Sequence, residues 1–334
     1  MRTALDAMGG DHAPVEIVKG AVEALESLPP EDEIILVGPQ DVVAAELAKL
    51  GGPFKRIHIE HAPQWIGMDE SPVDALRRKP DSSLRRMVKL MTEGKADAVV
   101  SAGNTGAMVA AAQMGARPLR GVRRPGISVV VPTIHGPVVI IDVGANIDCK
   151  PAQLTTYGVM ASVYSQLVLG IKEPRVGLLS IGEEEGKGNT LVRETSDLLK
   201  KAPINFCGNA EGRDVFSGKF DVIICDGFVG NVLLKVVEAM AEGVFQMLGQ
   251  EVAEADPSLS AKLKPIIQTI WQRHDYSTYG GAPLLGIDGI CIIAHGSSKA
   301  RAIRNALKAA SQFARQGANE AIEAALAPAG EVRT

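Results

Sequence analysis

Cysteine, aromatic side chains and net charge are all scarce in this chain, and each scarcity removes a class of function. The four cysteines, Cys149, Cys207, Cys225 and Cys291, lie far apart with no CxxC pair. That spacing excludes a zinc-finger ligand set, and a disulfide framework is not expected in a chain of this length. Aromatic residues make up 4% of the 334 residues and the formal net charge is −4. Neither a base-stacking platform nor a basic nucleic-acid footprint is therefore expected. No apolar run reaches about 18 residues, so no spanning helix is expected. The first residues enter an apolar strand with no signal-peptide pattern, which leads to the expectation of a cytoplasmic protein with reduced thiols. A P-loop (GxxxxGK[ST]) is missing, as is a GxGxxG after the first strand.

Glycine is what the chain has in excess, with 35 residues. Many fall in one recurring arrangement, an apolar β-like run, a short loop of Gly, Asn, Asp, Ser or Thr, and then a helical segment. The clearest case is Val99-Val100-Ser101-Ala102-Gly103-Asn104-Thr105-Gly106-Ala107-Met108. A helix start carries unpaired N–H groups and partial positive charge, so it favours anions. Gly103 and Gly106 let backbone approach a ligand, and Ser101, Asn104 and Thr105 add side-chain hydrogen bonds. Read alone, the loop fits an anion site and an ordinary helix cap equally well.

Along the chain, Thr3–Leu5 opens as a strand and runs into Asp6-Ala7-Met8-Gly9-Gly10-Asp11-His12. Pro14 starts an amphipathic helix to about Leu28. Further strands are expected at Ile34–Val37, Ile57–Ile59, Ala98–Ser101, Ile127–Val131, Val138–Ile141, Val176–Ser180, Ile204–Cys207, Val222–Cys225 and Ile290–Ala294. The pair around 127–141 reads as a hairpin-like excursion. Helices fall between the others, which implies a mostly parallel sheet with right-handed crossovers, an α/β/α sandwich of Rossmann-like type over residues 1–334. Tyr276–Gly286 reads as an irregular Gly/Pro loop, and Lys299–Ala325 as one terminal helix. A helical hairpin is expected over about 232–274, turning at Asp256-Pro257-Ser258. Its apolar residues Val236, Val237, Met240, Val244, Met247 and Leu248 call for a partner, for which a second subunit is the simplest choice.

In a parallel sheet, polar loops gather at the carboxyl edge of the strands, where ligands bind. A single cleft is therefore expected, holding Asp6, Gly9, Gly10, Ser101–Gly106, Asp142, Asn146, Asn189, Asn209, Asp226 and Asn231. Lys187, His12 and His295 bring basic groups to these loops. Lys187 sits between Gly186 and Gly188, free to reach inward, yet three adjacent glutamates also suit a solvated turn. His12 and His295 fit a general base, and equally a helix-start residue. Asp6, Asp142 and Asp226 have no metal-ligand spacing and also suit turn caps. Cys149 is the one plausible nucleophile, for which a non-covalent role is favoured. Arg77, Arg78, Lys79, Arg85, Arg86 and Lys89 form one basic cluster. Arg117, Arg120, Arg123 and Arg124 form another with no acid among them. Each reads as a solvated face or as a dock for an acidic partner.

Taken together, several motifs resemble the bacterial phosphate acyltransferase family. They are Asp6–Asp11, Ser101–Gly106, Asp142–Asn146, Glu185–Asn189, Gly208–Gly212, Asp226–Asn231, Asp275-Tyr276 with Tyr279–Gly286, and His295–Ser298. The resemblance spans essentially the whole chain. It implies transfer of a fatty acyl group from acyl carrier protein to inorganic phosphate, giving acyl phosphate for phospholipid synthesis. It also implies a fold similar to phosphotransacetylases and isocitrate-dehydrogenase-like enzymes, a homodimer, peripheral association with membrane, and neither metal nor nucleotide cofactor. A membrane glycerol-3-phosphate acyltransferase would use the product. On this resemblance, phosphate sits on Ser101, Gly103, Asn104, Thr105 and Gly106, with Lys187 and Asn231 nearby and His12 or His295 relaying a proton. Acyl carrier protein, strongly acidic, meets Arg77 and Arg78 or Arg117, Arg120, Arg123 and Arg124. The expected hairpin tip carries Glu251, Glu254, Asp256, Lys262 and Lys264 and is not clearly apolar. Two rival readings are a metal- and NAD-dependent dehydrogenase of similar fold and a non-enzymatic phosphate- or nucleotide-binding protein.

Overall fold

The computed structural model describes residues 1–255, 279–327 and positions 259, 262, 263, 265, 266, 269 and 270. Eleven strands form one sheet among the described residues: β1 (Arg2–Asp6), β2 (Glu33–Gly38), β3 (Ile57–His61), β4 (Ala98–Ser101), β5 (Gly126–Thr133), β6 (Gly136–Ile141), β7 (Arg175–Leu179), β8 (Asn205–Ala210), β9 (Val222–Ile224), β10 (Ala282–Leu285) and β11 (Ile290–Ile293). Their order is β3-β2-β1-β4-β11-β10-β5-β6-β9-β7-β8. Most are apolar on both faces, as strands covered by helices on each side must be. Along β1 and β9, Leu5 and Ile224 enter one core, while Ala4 and Ile223 enter the other.

The first core is covered by α1 (Val15–Ala24), α2 (Gln40–Lys49), α6 (Pro151–Val168), α7 (Thr190–Leu199), α9 (Ala300–Arg315) and α10 (Ala318–Leu326). The second is covered by α3 (Pro72–Arg78), α4 (Ser83–Thr92), α5 (Thr105–Gly115) and part of α8 (Gly227–Ala255). Helix α4 shows how the sequence drives this. Leu84, Met87, Val88 and Met91 recur at helical spacing and are buried, leaving Arg85 and Lys89 outward. The result is the expected three-layer α/β/α architecture.

Three expectations are corrected. The terminal helix is two helices, broken where Gly317 takes a left-handed φ of 62° between α9 and α10. The stretch ending at Gly286 contains a strand, β10, which pairs antiparallel with both β11 and β5. The third correction bears on function. Strands β1–β4 and β11 run together, β10 runs against β11, β5 against β10, and β6 against β5. Strands β7, β8 and β9 follow β6. The two halves of the sheet therefore point in opposite directions, and their carboxyl ends lie at opposite edges. The expected single cleft is two groups of loops within one chain.

The first arm of the expected hairpin is α8. Its turn at Asp256-Pro257-Ser258, together with Lys264 and Asp275-Tyr276, lies outside the described residues, as does most of the second arm. On α8 a run of apolar residues faces outward: Val229, Val232, Val236, Met240, Val244 and Met247, with exposures of 41–63%. No helix among the described residues is long and apolar enough to cross a membrane.

Candidate functional site

The first edge gathers the loops after β1, β4 and β11. Asp6 ends β1 and is 2% exposed. The Ser101 hydroxyl donates to its Oδ2 at 2.9 Å, and the Met8 N–H to Oδ1 at 3.2 Å. Burial pushes the Asp6 carboxyl above its ordinary range, against the pull of the Ser83 and Ser101 hydroxyls and the Met8 amide. The Ser101 oxygen in turn accepts from Gly103 N–H at 3.0 Å. Gly9 lies over this pair, where a Cβ would sit 2.5 Å from Asp6 Oδ2 and 2.8 Å from Gly103 N. The next turn is closed by Asp11 N–H on the Gly296 carbonyl at 2.8 Å, with Gly10 packed against the same carbonyl. Asn104 caps α5 by accepting from Ala107 N–H, and its Nδ2 donates to the Met68 and Glu70 carbonyls. Ser101 and Asn104 are thus engaged in building the loop, while Thr105 and Gly106 face solvent. His12 and His295 are exposed at this edge, and His295 Nδ1 lies 2.8 Å from Ser297 Oγ. Helix α3, which carries the exposed Arg77 and Arg78, starts here, with Pro72 against Gly106.

The second edge gathers the loops after β6, β9, β7 and β8, in that spatial order. Asp142 is fully buried just past β6. Its Oδ1 accepts from the N–H groups of Ile127, Gly144 and Ala145, and its Oδ2 from that of Asn146, at 2.7–3.1 Å. Burial pushes its carboxyl up and these amides pull it back. The Asn146 side chain is also buried. Its Nδ2 donates to the Pro125 carbonyl at 2.7 Å and to the Tyr157 hydroxyl at 2.8 Å, while the Asn146 backbone carbonyl accepts Gly227 N–H at 2.8 Å. Asp226 Oδ1 accepts from Phe228 and Val229, closing the first turn of α8. Asn231 follows on that helix, exposed, beside Gly144.

In the neighbouring loop after β7, Lys187 is exposed and makes no ion pair among the described residues. Its side chain lies across Gly182. Two of the three glutamates beside it have other partners: Glu183 pairs with Arg213 and Lys219, and Glu185 with Lys200. Asn189 caps α7 through Val192 N–H, and Asn209 donates to the Glu184 carbonyl, holding this loop to β8. The segment before β5 brings Arg117, Arg120, Arg123 and Arg124 to the same edge, all exposed. Cys149 is half-buried nearby. Burial, and then the Asp142 charge, push its thiol up to about 11, which leaves it a poor nucleophile at neutral pH. No group of three or more His, Cys, Asp or Glu among the described residues is arranged to hold a metal.

The two edges share one design. Each has a buried aspartate ending or just past a strand (Asp6, Asp142) and a parallel neighbour strand that ends in Ser101 or runs into Cys225. Gly-x-x-Gly follows in both, Gly103/Gly106 and Gly227/Gly230, at the start of a helix. Ser101 Oγ donates to the Asp6 carboxylate, and Cys225 Sγ to the Asp142 carbonyl. Sequence reasoning missed this pairing because the two loops share few identical residues. It also missed Tyr157, an apolar-helix residue whose partner is visible only in three dimensions.

The chain matches, over residues 1–321, the family model described as a fatty acid synthesis protein. It is 49% identical over 326 residues to the phosphate acyltransferase of Heliobacterium modesticaldum, covering 97% of each chain. It is 47% identical over 329 residues to that of Desulforamulus reducens, covering 98% of this chain and 97% of the relative. Among solved structures it is similar to a phosphotransacetylase from Streptococcus pyogenes, with a TM-score of 0.63 at 17% identity over 94% of each chain. A 4-hydroxythreonine-4-phosphate dehydrogenase from Klebsiella pneumoniae gives 0.55 at 15% identity, covering 94% of this chain and 99% of the other. At such identities the structural likeness speaks for the fold.

Proposed function

Because the chain belongs to the phosphate acyltransferase family, we propose that it moves a fatty acyl group from the thioester of acyl carrier protein to inorganic phosphate, releasing acyl phosphate for phospholipid synthesis. The observation that carries the site assignment is the composition of the second edge. Among the described residues it alone combines a cation without an ion pair (Lys187), an exposed amide (Asn231), a row of arginines and an apolar stripe on α8. Phosphate therefore sits there rather than on the Ser101–Gly106 loop.

In this reading, hydrogen phosphate attacks the thioester carbon and the C–S bond then breaks. The proton left on phosphate ends on the departing sulfur, so charge and atoms balance without a separate base. His12 and His295 lie at the other edge and take no part. Lys187 neutralises phosphate as it approaches, and Asn231 Nδ2 donates to the developing oxyanion, a contribution often among the largest in acyl transfer. The acidic carrier docks on Arg117, Arg120, Arg123 and Arg124 rather than on Arg77 and Arg78, which belong to a helix starting at the first edge. A second copy of the chain covers the α8 stripe, giving a homodimer. The product passes to a membrane glycerol-3-phosphate acyltransferase, which this protein meets from the cytoplasmic side of the bilayer.

The test is incubation with palmitoyl-acyl carrier protein, with and without phosphate and with no metal or NAD, trapping acyl phosphate as its hydroxamate. Phosphate-dependent release is expected, and Lys187→Ala should lower kcat/KM by roughly 10²–10³. No phosphate-dependent release from folded protein overturns the reaction. Near-normal turnover by the Lys187 variant overturns the site.

A further inference from the structure

We propose that Asn146 is a positioning residue for carrier recognition, holding the arginine segment in register with the start of α8. The inference rests on the carrier docking at Arg123 and Arg124.

Asn146 joins three parts of the second edge. Through Nδ2 it holds the Pro125 carbonyl at 2.7 Å, one residue beyond Arg124. Through the same nitrogen it holds the hydroxyl of Tyr157 on α6 at 2.8 Å. Through its own carbonyl it receives the first N–H of α8, that of Gly227. Asp142 anchors the residue from beneath through Asn146 N–H at 2.7 Å, and also accepts Ile127 N–H just beyond Pro125. Tyr157 adds a longer hydrogen bond of 3.4 Å to the same Pro125 carbonyl.

The geometry separates two tasks. The contact with α8 is made by Asn146 backbone, so it survives side-chain replacement. The contact with the arginine segment is made by the side chain. Arg123 and Arg124 are exposed on long side chains, so their direction depends on the backbone that carries them. A long-range charge attracts an acidic partner from any direction, but productive docking needs the positive row in a fixed place relative to the reacting groups. The Asn146 side chain supplies that fixed relation, with Tyr157 as a second brace.

The test is steady-state kinetics on the full chain for Asn146→Ala, for Arg123→Glu/Arg124→Glu and for the combination, with KM measured separately for the carrier substrate and for phosphate. The charge reversal is expected to raise the carrier KM at least about tenfold. Asn146→Ala is expected to raise the same KM by roughly tenfold and to leave the phosphate KM within about twofold. Combined, the changes should give little more than the charge reversal alone, because both act through one contact. If the charge reversal leaves the carrier KM unchanged, the docking assignment fails and this inference with it. If the charge reversal acts but Asn146→Ala does not, or the two effects multiply independently, only the role of Asn146 is overturned. Equal rises in both KM values would mark general damage and also overturn it. Should Asn146→Ala melt early, Tyr157→Phe keeps the ring volume and removes one hydroxyl from the same brace. Its carrier KM should rise by about threefold, and an unchanged value counts against the proposal.

Discussion

Gly230 offers the sharpest test of how the second edge is held. It lies in the first turn of α8, where a Cβ would fall 1.9 Å from the Asp142 carbonyl oxygen and 2.8 Å from Cys225 Sγ. Both neighbours are buried and fixed in the sheet, so Gly230→Ala can be accommodated only if the helix start retreats by roughly 1.5 Å. That movement strains or breaks the Gly227–Asn146 hydrogen bond, worth about 1 kcal/mol, and adds an overpacking cost of about 1–3 kcal/mol. The expected loss is about 2–4 kcal/mol, seen as a fall in Tm of roughly 3–6 °C for a chain of this size. Asn231, next in sequence, moves with the helix, and a displacement near 1 Å should cost about 10²-fold in kcat. Gly212→Ala is the matched control, since nothing lies within 4 Å of its Cβ position. Thermal melting and the hydroxamate assay on both variants decide the matter. Wild-type Tm and turnover in Gly230→Ala would refute the pinning of α8 to Asp142 and, with it, the placement of Asn231.

Two further outcomes follow from buried groups. Cys149, its thiol pushed up to about 11 by burial and by Asp142, should react slowly with iodoacetamide at pH 7.5 and faster as pH approaches that value. Cys149→Ser should keep acyl transfer within about threefold, and an acyl-enzyme trapped without phosphate would contradict this. Asp32 joins Ser311 Oγ at 2.6 Å, Arg315 at 2.7 Å and the Met1 amino nitrogen at 3.1 Å. Burial alone would raise its carboxyl, but these partners outweigh burial and hold it below the ordinary value of 3.8. Its contribution is therefore full above that value and is lost as pH falls through the lower folded one. Asp32→Asn should cost about 3 kcal/mol at pH 7 and flatten the acid limb of the stability profile. An unchanged limb in urea titrations between pH 5 and about 2 would show that the group does not act this way.

The loops were legible because glycine, asparagine and aspartate directly after apolar runs leave few alternatives to a tight strand-to-helix turn. Asn104 and Asn189, each beside a helix start, became the caps that such residues tend to be. What lay beyond reach depended on distant partners. Ser101 turns inward to an aspartate 95 residues away, and Asn146 spans to Pro125 and Tyr157. Strand β10 is four residues long, includes Pro283 and sits in a Gly/Pro-rich stretch, so local pattern hid it. With β10 hidden, nothing in the alternation of strands and helices told that the β5–β6 hairpin joins the same sheet, where β5 keeps the direction of β1–β4 and β6 reverses it. The split of the candidate residues between two edges follows from the reversal at that hairpin, which β10 ties into the sheet.

The sheet order also sets when the molecule can be completed. Among the described residues, strands β1–β4 and β5–β9 form two blocks that meet in the sheet only through β11 and β10, which come last of the eleven strands in sequence. A chain emerging from the ribosome would carry two half-sheets, with β4 and β5 each presenting an unpaired inner edge, until nearly 300 residues have been made. Closing that gap requires contacts between Ala98 and Ile290 and between Ile127 and Leu284, all of long sequence separation and therefore slow to form. The open interval between the blocks is where misassembly would begin, and a truncation before β10 would leave two sticky halves instead of a smaller enzyme.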